Sequence, residues 1–218
     1  NSTSAYAQQQ QALLRAAIEM MIEADMDVQL IIQYGSGFKP TNTDLEAFYE
    51  YLVDNALWGQ SLGITRVQTG NEMESTKGSG ATNHDVYEFL QTLPGILAAG
   101  GDTGETTYSL LWDHSASWRT YGIGPYTDLG FDHYGQDGSY EPYNRLTKQY
   151  FGERAYLSEF SITNSGDWWD FYKQDPVWVE KQIMQYFAHI KDLWPNHVHY
   201  YFTWKNANDG PMDALACR

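Results

Sequence analysis

The chain has 218 residues, 42% of them hydrophobic, which is enough for one sizeable core and a single domain. Thirteen Lys and Arg stand against 28 Asp and Glu, a formal charge of −15. Such a field repels a polyanion such as nucleic acid and favours neutral substrates. No apolar run reaches the roughly 18 residues of a membrane span, and the single cysteine, Cys217, can form no internal disulfide.

The chain opens "NSTSAYAQQQ", without a basic stretch or an apolar signal core. Ala7 to Met26 repeats apolar residues at helical spacing, and Val28 to Gly35 follows as a strand. Asn42 to Trp58 opens on Asn and Thr cap candidates and reads as a helix. Ile64 to Gly70 is the next strand. Asn83 to Gly100 is helical, with Pro94 marking a kink or boundary. Thr106 to Asp113 reads as a strand, and a looser stretch leads to another at Asp128 to Gly135. A short helix at Tyr143 to Gly152 precedes the strand Arg154 to Ile162. The clearest helix is Pro176 to Trp194, with Pro176 suited to its first turn, and His197 to Lys205 closes the series as a strand.

Six strand signals separated by helical or irregular crossovers are the pattern of a parallel α/β sheet. An open doubly wound sheet and a closed (β/α)8 (TIM) barrel both fit that alternation. The barrel is favoured because polar residues recur at the C-terminal ends of the strands, where barrel sites sit. These are Tyr34, Glu72, Asp113, His133, Glu159 and Trp204. A complete barrel needs eight strands and about 250 residues. The expectation is therefore an incomplete barrel over residues 1–218, lacking the first two strands and the last helix and belonging to a longer polypeptide.

"VQTGNEME" (Val67 to Glu74) and "AYLSEFSI" (Ala155 to Ile162) are apolar, β-favouring runs that each end abruptly in a glutamate. A carboxylate at the end of a buried strand is costly unless it faces a polar cleft. Taken alone, Gly70-Asn71-Glu72 reads as a turn with a solvated carboxylate, and Ser158-Glu159-Phe160 says no more. The pair carries the signal. The separation from 72 to 159 is that of three βα units of about 30 residues each, which sets the two glutamates across one barrel mouth. Two carboxyls so placed are the equipment for glycosidic cleavage, one as acid and one as nucleophile.

On these residues the chain resembles the clan A glycoside hydrolases, retaining glycosidases built on (β/α)8 barrels. The resemblance runs from about Val28 to Asn206. It implies that Glu72 is the acid/base and Glu159 the nucleophile, and that Asn71 holds the sugar 2-hydroxyl. It further implies that His133 and Tyr134 of "DHYG" lie near the nucleophile and that Trp204 floors the subsite of the sugar to be cleaved. Trp204 reads equally well as a core residue, and "DWWD" (Asp167 to Asp170) could line a distal subsite. Many clan members carry Pro after the acid/base glutamate; Met73 stands here, and "GNEM" is closer to an arabinofuranosidase-like pattern. Retention requires the carboxyls about 5 Å apart, inversion more than about 6.5 Å.

The implied partner is a carbohydrate, with no cofactor, no membrane and no nucleic acid; the oligomeric state is open. Secretion is expected from the acidic, aromatic-rich composition (eight Trp, seventeen Tyr) and the substrate class, and an Asn1-Ser2-Thr3 sequon is present. Two rival readings stand. "WDH" (Trp112 to His114) and "DHY" (Asp132 to Tyr134) would suit a metal-dependent barrel hydrolase; His197 and His199 fall at the wrong end of their strand for it. A non-catalytic carbohydrate-binding or structural barrel is the other.

Overall fold

The computed structural model describes residues 5–35, 37–111, 115–136, 140–163, 176–197, 199–201 and 215–217. In chain order they form α1 (Ala5–Glu23), β1 (Gln29–Ile31), α2 (Leu45–Ser61), β2 (Arg66–Asn71), the single turn α3 (Met73–Thr76), α4 (Asn83–Ala99) and β3 (Glu105–Leu111). There follow α5 (Ser115–Tyr121), β4 (Asp128–Gln136), α6 (Tyr140–Phe151), β5 (Ala155–Thr163), α7 (Pro176–Leu193), β6 (His199–Tyr201) and β7 (Leu215–Cys217). Strands β1 to β6 pair in sequence order, every neighbour parallel. The fold is a partial (β/α)8 barrel. One strand departs from the expected pattern: β7 pairs antiparallel with β6, His199 opposite Cys217.

The two sheet faces differ in chemistry because strand residues alternate. Val67, Tyr108, Leu110, Leu129, Phe131 and Leu157 are buried in the apolar core shared with the helices. Helix α2 meets it with Phe48, Leu52 and Ala56, and α4 with Val86, Phe89, Leu90, Leu93 and Leu97. These are the i, i+3, i+4 stripes that a sheet-packed helix requires. Helix α4 starts at a capping box: Thr82 Oγ1 accepts from Asp85 N–H (3.1 Å), and Asp85 Oδ2 accepts from Thr82 N–H (2.7 Å).

Pro94 lies inside α4 rather than at a boundary. It lacks the N–H that the Leu90 carbonyl would accept. The Tyr126 hydroxyl replaces it, donating to Leu90 O at 2.7 Å, and stands 2.8 Å from Thr69 Oγ1 of β2. One tyrosine thus closes the gap left by the proline. Tyr126→Phe should lower stability by about 1–3 kcal/mol by orphaning that carbonyl. Pro94→Ala in the same background should recover part of the loss in thermal melts.

The opposite sheet face is polar. Arg66 bridges Glu105 (2.7 Å) and Asp128 (3.1 Å), with its guanidinium 5.3 Å from the Tyr156 ring centroid. One layer up, Tyr156 donates to Gln29 Oε1 (3.0 Å), and Gln29 Nε2 donates to Gln68 Oε1 (2.5 Å). Above these lie Ser109, Asp132 and Ser158. The barrel interior is a stack of hydrogen-bonded polar layers leading toward the C-terminal mouth.

Candidate active site

The first glutamate is set by a break in β2. Pairing with β3 runs Gln68 to Thr107 and then Asn71 to Ser109, so one extra residue bulges out of β2 around Thr69 and Gly70. Gly70 takes φ +118°, and a Cβ there would come within 2.9 Å of the Met73 sulfur and 3.3 Å of Tyr108 Cε2. Glu72 then adopts the left-handed conformation, φ 48° and ψ 35°. That geometry is costly for a residue with a side chain and recurs at functional sites. Two bonds hold it: Glu72 N–H donates to Ser109 O (2.9 Å), and Ser75 N–H donates to Glu72 O (2.9 Å).

Asn71 is fixed from below and from the side. Gln68 Nε2 donates to Asn71 Oδ1 (2.9 Å) and Gly70 O (3.1 Å), while Gln33 Nε2 donates to Asn71 O (3.1 Å). With its oxygen taken by Gln68, the amide of Asn71 turns its NH2 the other way, as a donor. Asn71 and Glu72 are both half-buried. Gln33 also lines a cavity of about 600 Å3 with Tyr34, Asn42, Asp44 and Tyr51. There the Tyr34 hydroxyl donates to Asp44 Oδ1 (2.7 Å) and accepts from Asn42 Nδ2 (2.6 Å).

A second carboxyl, not singled out in the sequence, lies in the same turn. Glu74 is 1% exposed. Its Oε2 accepts from the Tyr108 hydroxyl, its Oε1 accepts from Leu111 N–H (3.0 Å), and Tyr108 in turn accepts from Met73 N–H (2.9 Å). Burial pushes the Glu74 carboxyl up to about 7, against the lowering effect of those donors.

The second glutamate follows another bulge. Phe131 pairs with Leu157, then Asp132 with Glu159, so Ser158 is the extra residue. Its hydroxyl donates to Asp132 Oδ1 (2.7 Å), as does that of Ser109 (2.6 Å), and Asp132 is fully buried. The register sets Leu111, Asp132 and Glu159 side by side, two residues beyond the Ser109 that pairs with Asn71. Glu72 follows directly on the end of β2, whereas β5 does not end at Glu159 as its sequence predicted: the strand runs on beside β4 to Thr163, so Glu159 lies within the sheet, past its bulge.

His133 sits elsewhere. It is buried on the helix side of β4, with Nδ1 3.2 Å from Asn144 Oδ1 of α6 and 3.1 Å from the Tyr186 hydroxyl of α7. Its ring meets Tyr143 edge-on. Alternation explains the placement: Asp132 faces the barrel interior, so its neighbour faces the helices. The structure does not bring His133 to the Asn71–Glu72 turn. The side chains of Tyr134 and Glu159, together with Trp112 to His114, the 167–170 stretch and Trp204, lie outside the described residues. His197 stacks on Tyr156 (centroids 6.5 Å apart). Among the described residues no three His, Cys, Asp or Glu side chains could hold a metal ion, and no helix is long and apolar enough to cross a membrane.

Glu74 and His133 act on stability with opposite sign. Glu74 titrates about 7 when folded against 4.5 as a free group, so its contribution is complete below about 4.5 and is lost as pH rises through 7. Burial holds His133 at about 4 against 6.5, so its contribution is present above 6.5 and is lost as pH falls through 4. Each is worth about 3 kcal/mol. Their slopes oppose between about 4.5 and 6.5. Glu74→Gln should therefore uncover the histidine slope, with the melting temperature rising across that window more steeply than in the wild type.

No family model matches the chain, and no curated protein does. Among solved structures it is similar to the Ignisphaera aggregans GH53 catalytic domain, with a TM-score of 0.54 and 14% identity over 71% of this chain and 51% of that one. It is also similar to Bacteroides uniformis beta-glucuronidase 2, solved covalently bound to cyclophellitol-6-carboxylate aziridine (TM-score 0.59, 15% identity, 81% of this chain and 23% of that one). A third neighbour is the AHE enzyme from Alicyclobacillus herbarius (TM-score 0.56, 12% identity, 88% and 66%). The shared property is the fold, a barrel of alternating strands and helices. The chain spans about half the length of the first of these structures and about a quarter of the second.

Proposed function

We propose that this barrel is a retaining glycoside hydrolase acting on a polysaccharide or oligosaccharide, with Glu72 as acid/base and Glu159 as nucleophile. The observation that carries the reading is the paired construction of the rim. Two parallel strands, three βα units apart, each carry a bulge within three residues before a glutamate, Glu72 following directly on the end of β2 and Glu159 lying past the bulge within β5. Bulges beside a barrel mouth re-aim side chains at a site.

In this reading Glu159 attacks the anomeric carbon as a carboxylate while Glu72 gives its proton to the departing glycosidic oxygen. Glu72, now ionised, takes a proton from water, whose oxygen displaces Glu159 and returns the original configuration. Asn71 offers its amide NH2 to the sugar 2-hydroxyl, Tyr134 holds the nucleophile, and Trp204 stacks beneath the ring. His133 serves from behind, pinning β4 to α6 and α7. The cavity beside Gln33 gives room for a neighbouring sugar, which favours a chain over a lone glycoside. The acidic, aromatic-rich composition suits work outside the cell, and secretion is part of the proposal.

The test is a panel of chromogenic glycosides and plant or microbial polysaccharides, with the anomer first released followed by proton NMR. Release with retained configuration, unaffected by chelators, is expected. Release of the inverted anomer would sink the double-displacement mechanism. Loss of activity to a chelator would favour a metal-dependent hydrolase, and binding without turnover a carbohydrate-binding barrel.

A further inference from the structure

Among the buried ionisable groups that the two-glutamate mechanism leaves unused, Glu74 is the one in the same turn as Glu72. Glu74 lies two residues beyond Glu72 in one turn, and its carboxyl is sealed from water while Glu72 is half-buried. The contacts of Glu74 pull in two directions. Tyr108 and Leu111 both donate to it, which suits a carboxylate, whereas burial favours the neutral acid. Lys77 makes no ion pair with its carboxyl; its Nζ donates instead to the backbone oxygen of Glu74 (2.6 Å). A group under such opposed demands changes charge within the working range of a hydrolase rather than staying locked in one form.

The neighbouring carboxyl feels that change. The charge of Glu72 acts on Glu74 and disfavours its ionisation, and by reciprocity an ionised Glu74 disfavours ionisation of Glu72. The coupling has a mechanical partner. The Tyr108 hydroxyl that donates to Glu74 also accepts from the N–H of Met73, the residue between the two glutamates. Other titratable groups near the pair among the described residues include Tyr126, which acts on Tyr108 from before β4, and Lys77 at the end of the turn. Asp113 and His114, two and three residues after Leu111, lie outside the described residues.

We propose that Glu74 is a positioning residue for Glu72: the two carboxyls titrate as a coupled pair, and the charge on Glu74 holds the proton on Glu72 at the upper end of the pH range of activity. This rests on Glu72 being the acid. An acid catalyst must keep its proton until the leaving oxygen departs, and a like charge close behind it serves that end.

The experiment is a carbon-13 NMR titration of the glutamate carboxyls in the whole chain, wild type against Glu74→Gln, Glu72→Gln and Tyr108→Phe. In Glu74→Gln the Glu72 titration should become a single step with its midpoint lowered by about 1 pH unit. Glu72→Gln should lower the Glu74 midpoint by the same amount. Tyr108→Phe removes a donor that favours ionised Glu74, so it should move Glu72 in the same direction, and should add nothing in the Glu74→Gln background. The basic limb of kcat/KM should follow the Glu72 midpoint while the acid limb stays in place. If Glu74→Gln does not fold, the Glu72→Gln and Tyr108→Phe titrations decide the matter. A Glu72 titration unmoved in these variants, or a uniform fall in kcat/KM with both limbs fixed, would leave Glu74 a purely structural residue. Undiminished turnover of alkyl glycosides or polysaccharide by Glu72→Gln would instead refute the acid assignment, while the NMR coupling would still be read independently.

Discussion

Glu159→Gln is expected to remove nearly all turnover while glycan binding survives, and Glu72→Gln to fail in a way that depends on the leaving group. An amide at position 159 cannot form the glycosyl ester, so no substrate escapes that loss. An amide at position 72 cannot give a proton, which costs about 10²- to 10⁴-fold where the leaving oxygen needs one. An aryl leaving group of low pKa needs little help, so Glu72→Gln should cleave dinitrophenyl glycosides far better than alkyl glycosides or polysaccharide. Steady-state kinetics on leaving groups of graded pKa give the comparison. A cyclophellitol aziridine matched to the best substrate should attach to Glu159 in the wild type and in Glu72→Gln, located by peptide mass. Equal losses on all leaving groups in both variants, or a label on another residue, would rule out this division of roles.

The alternation of strands and helices was legible because parallel βα units write their periods into the sequence. The six parallel strands lie where apolar β-favouring runs predicted them, though β1 and β6 are three-residue strands inside longer predicted runs. Helix α5 escaped notice because seven residues, followed by a glycine, show barely two turns of any period; Trp118 and its stack on Tyr108 anchor it. Strand β7 is a three-residue apolar stretch whose partner alone makes it a strand. Pro94 suggested a kink or boundary, but α4 runs through it, and Tyr126, which takes up the carbonyl it leaves unbonded, lies 32 residues further along.

At the site, the glycine before Asn71-Glu72 announced the turn, while the bulge at Ser158 left no trace in composition. Glu74 stood in plain view in "GNEME". Its burial depends on Tyr108, 34 positions away, and nothing local separates it from a solvated glutamate. His133 looked like a mouth residue because "DHYG" ends a strand. Which face each residue takes follows from the Asp132 contacts with Ser109 and Ser158, and those are long-range facts.

Gly70→Ala should join the fold to the chemistry most directly. The position carries φ +118°, which an L side chain rarely adopts, and the new methyl would press on Met73 and on Tyr108, the residue that holds both the turn and Glu74. Backbone strain and overpacking of this kind cost about 1–3 kcal/mol each, so a drop of several degrees in melting temperature is expected. The effect on rate should exceed the effect on stability. Relief of the clash must pull Met73 from Tyr108 or flatten the bulge, and either movement rotates Asn71 and Glu72 away from the rim. A displacement of about 1 Å at an acid catalyst is worth about 100-fold in rate. The check is kcat measured well below the melting point, where the variant is fully folded. A Gly70→Ala protein that melts early yet keeps wild-type kcat would show that the bulge serves the sheet and not the glutamate.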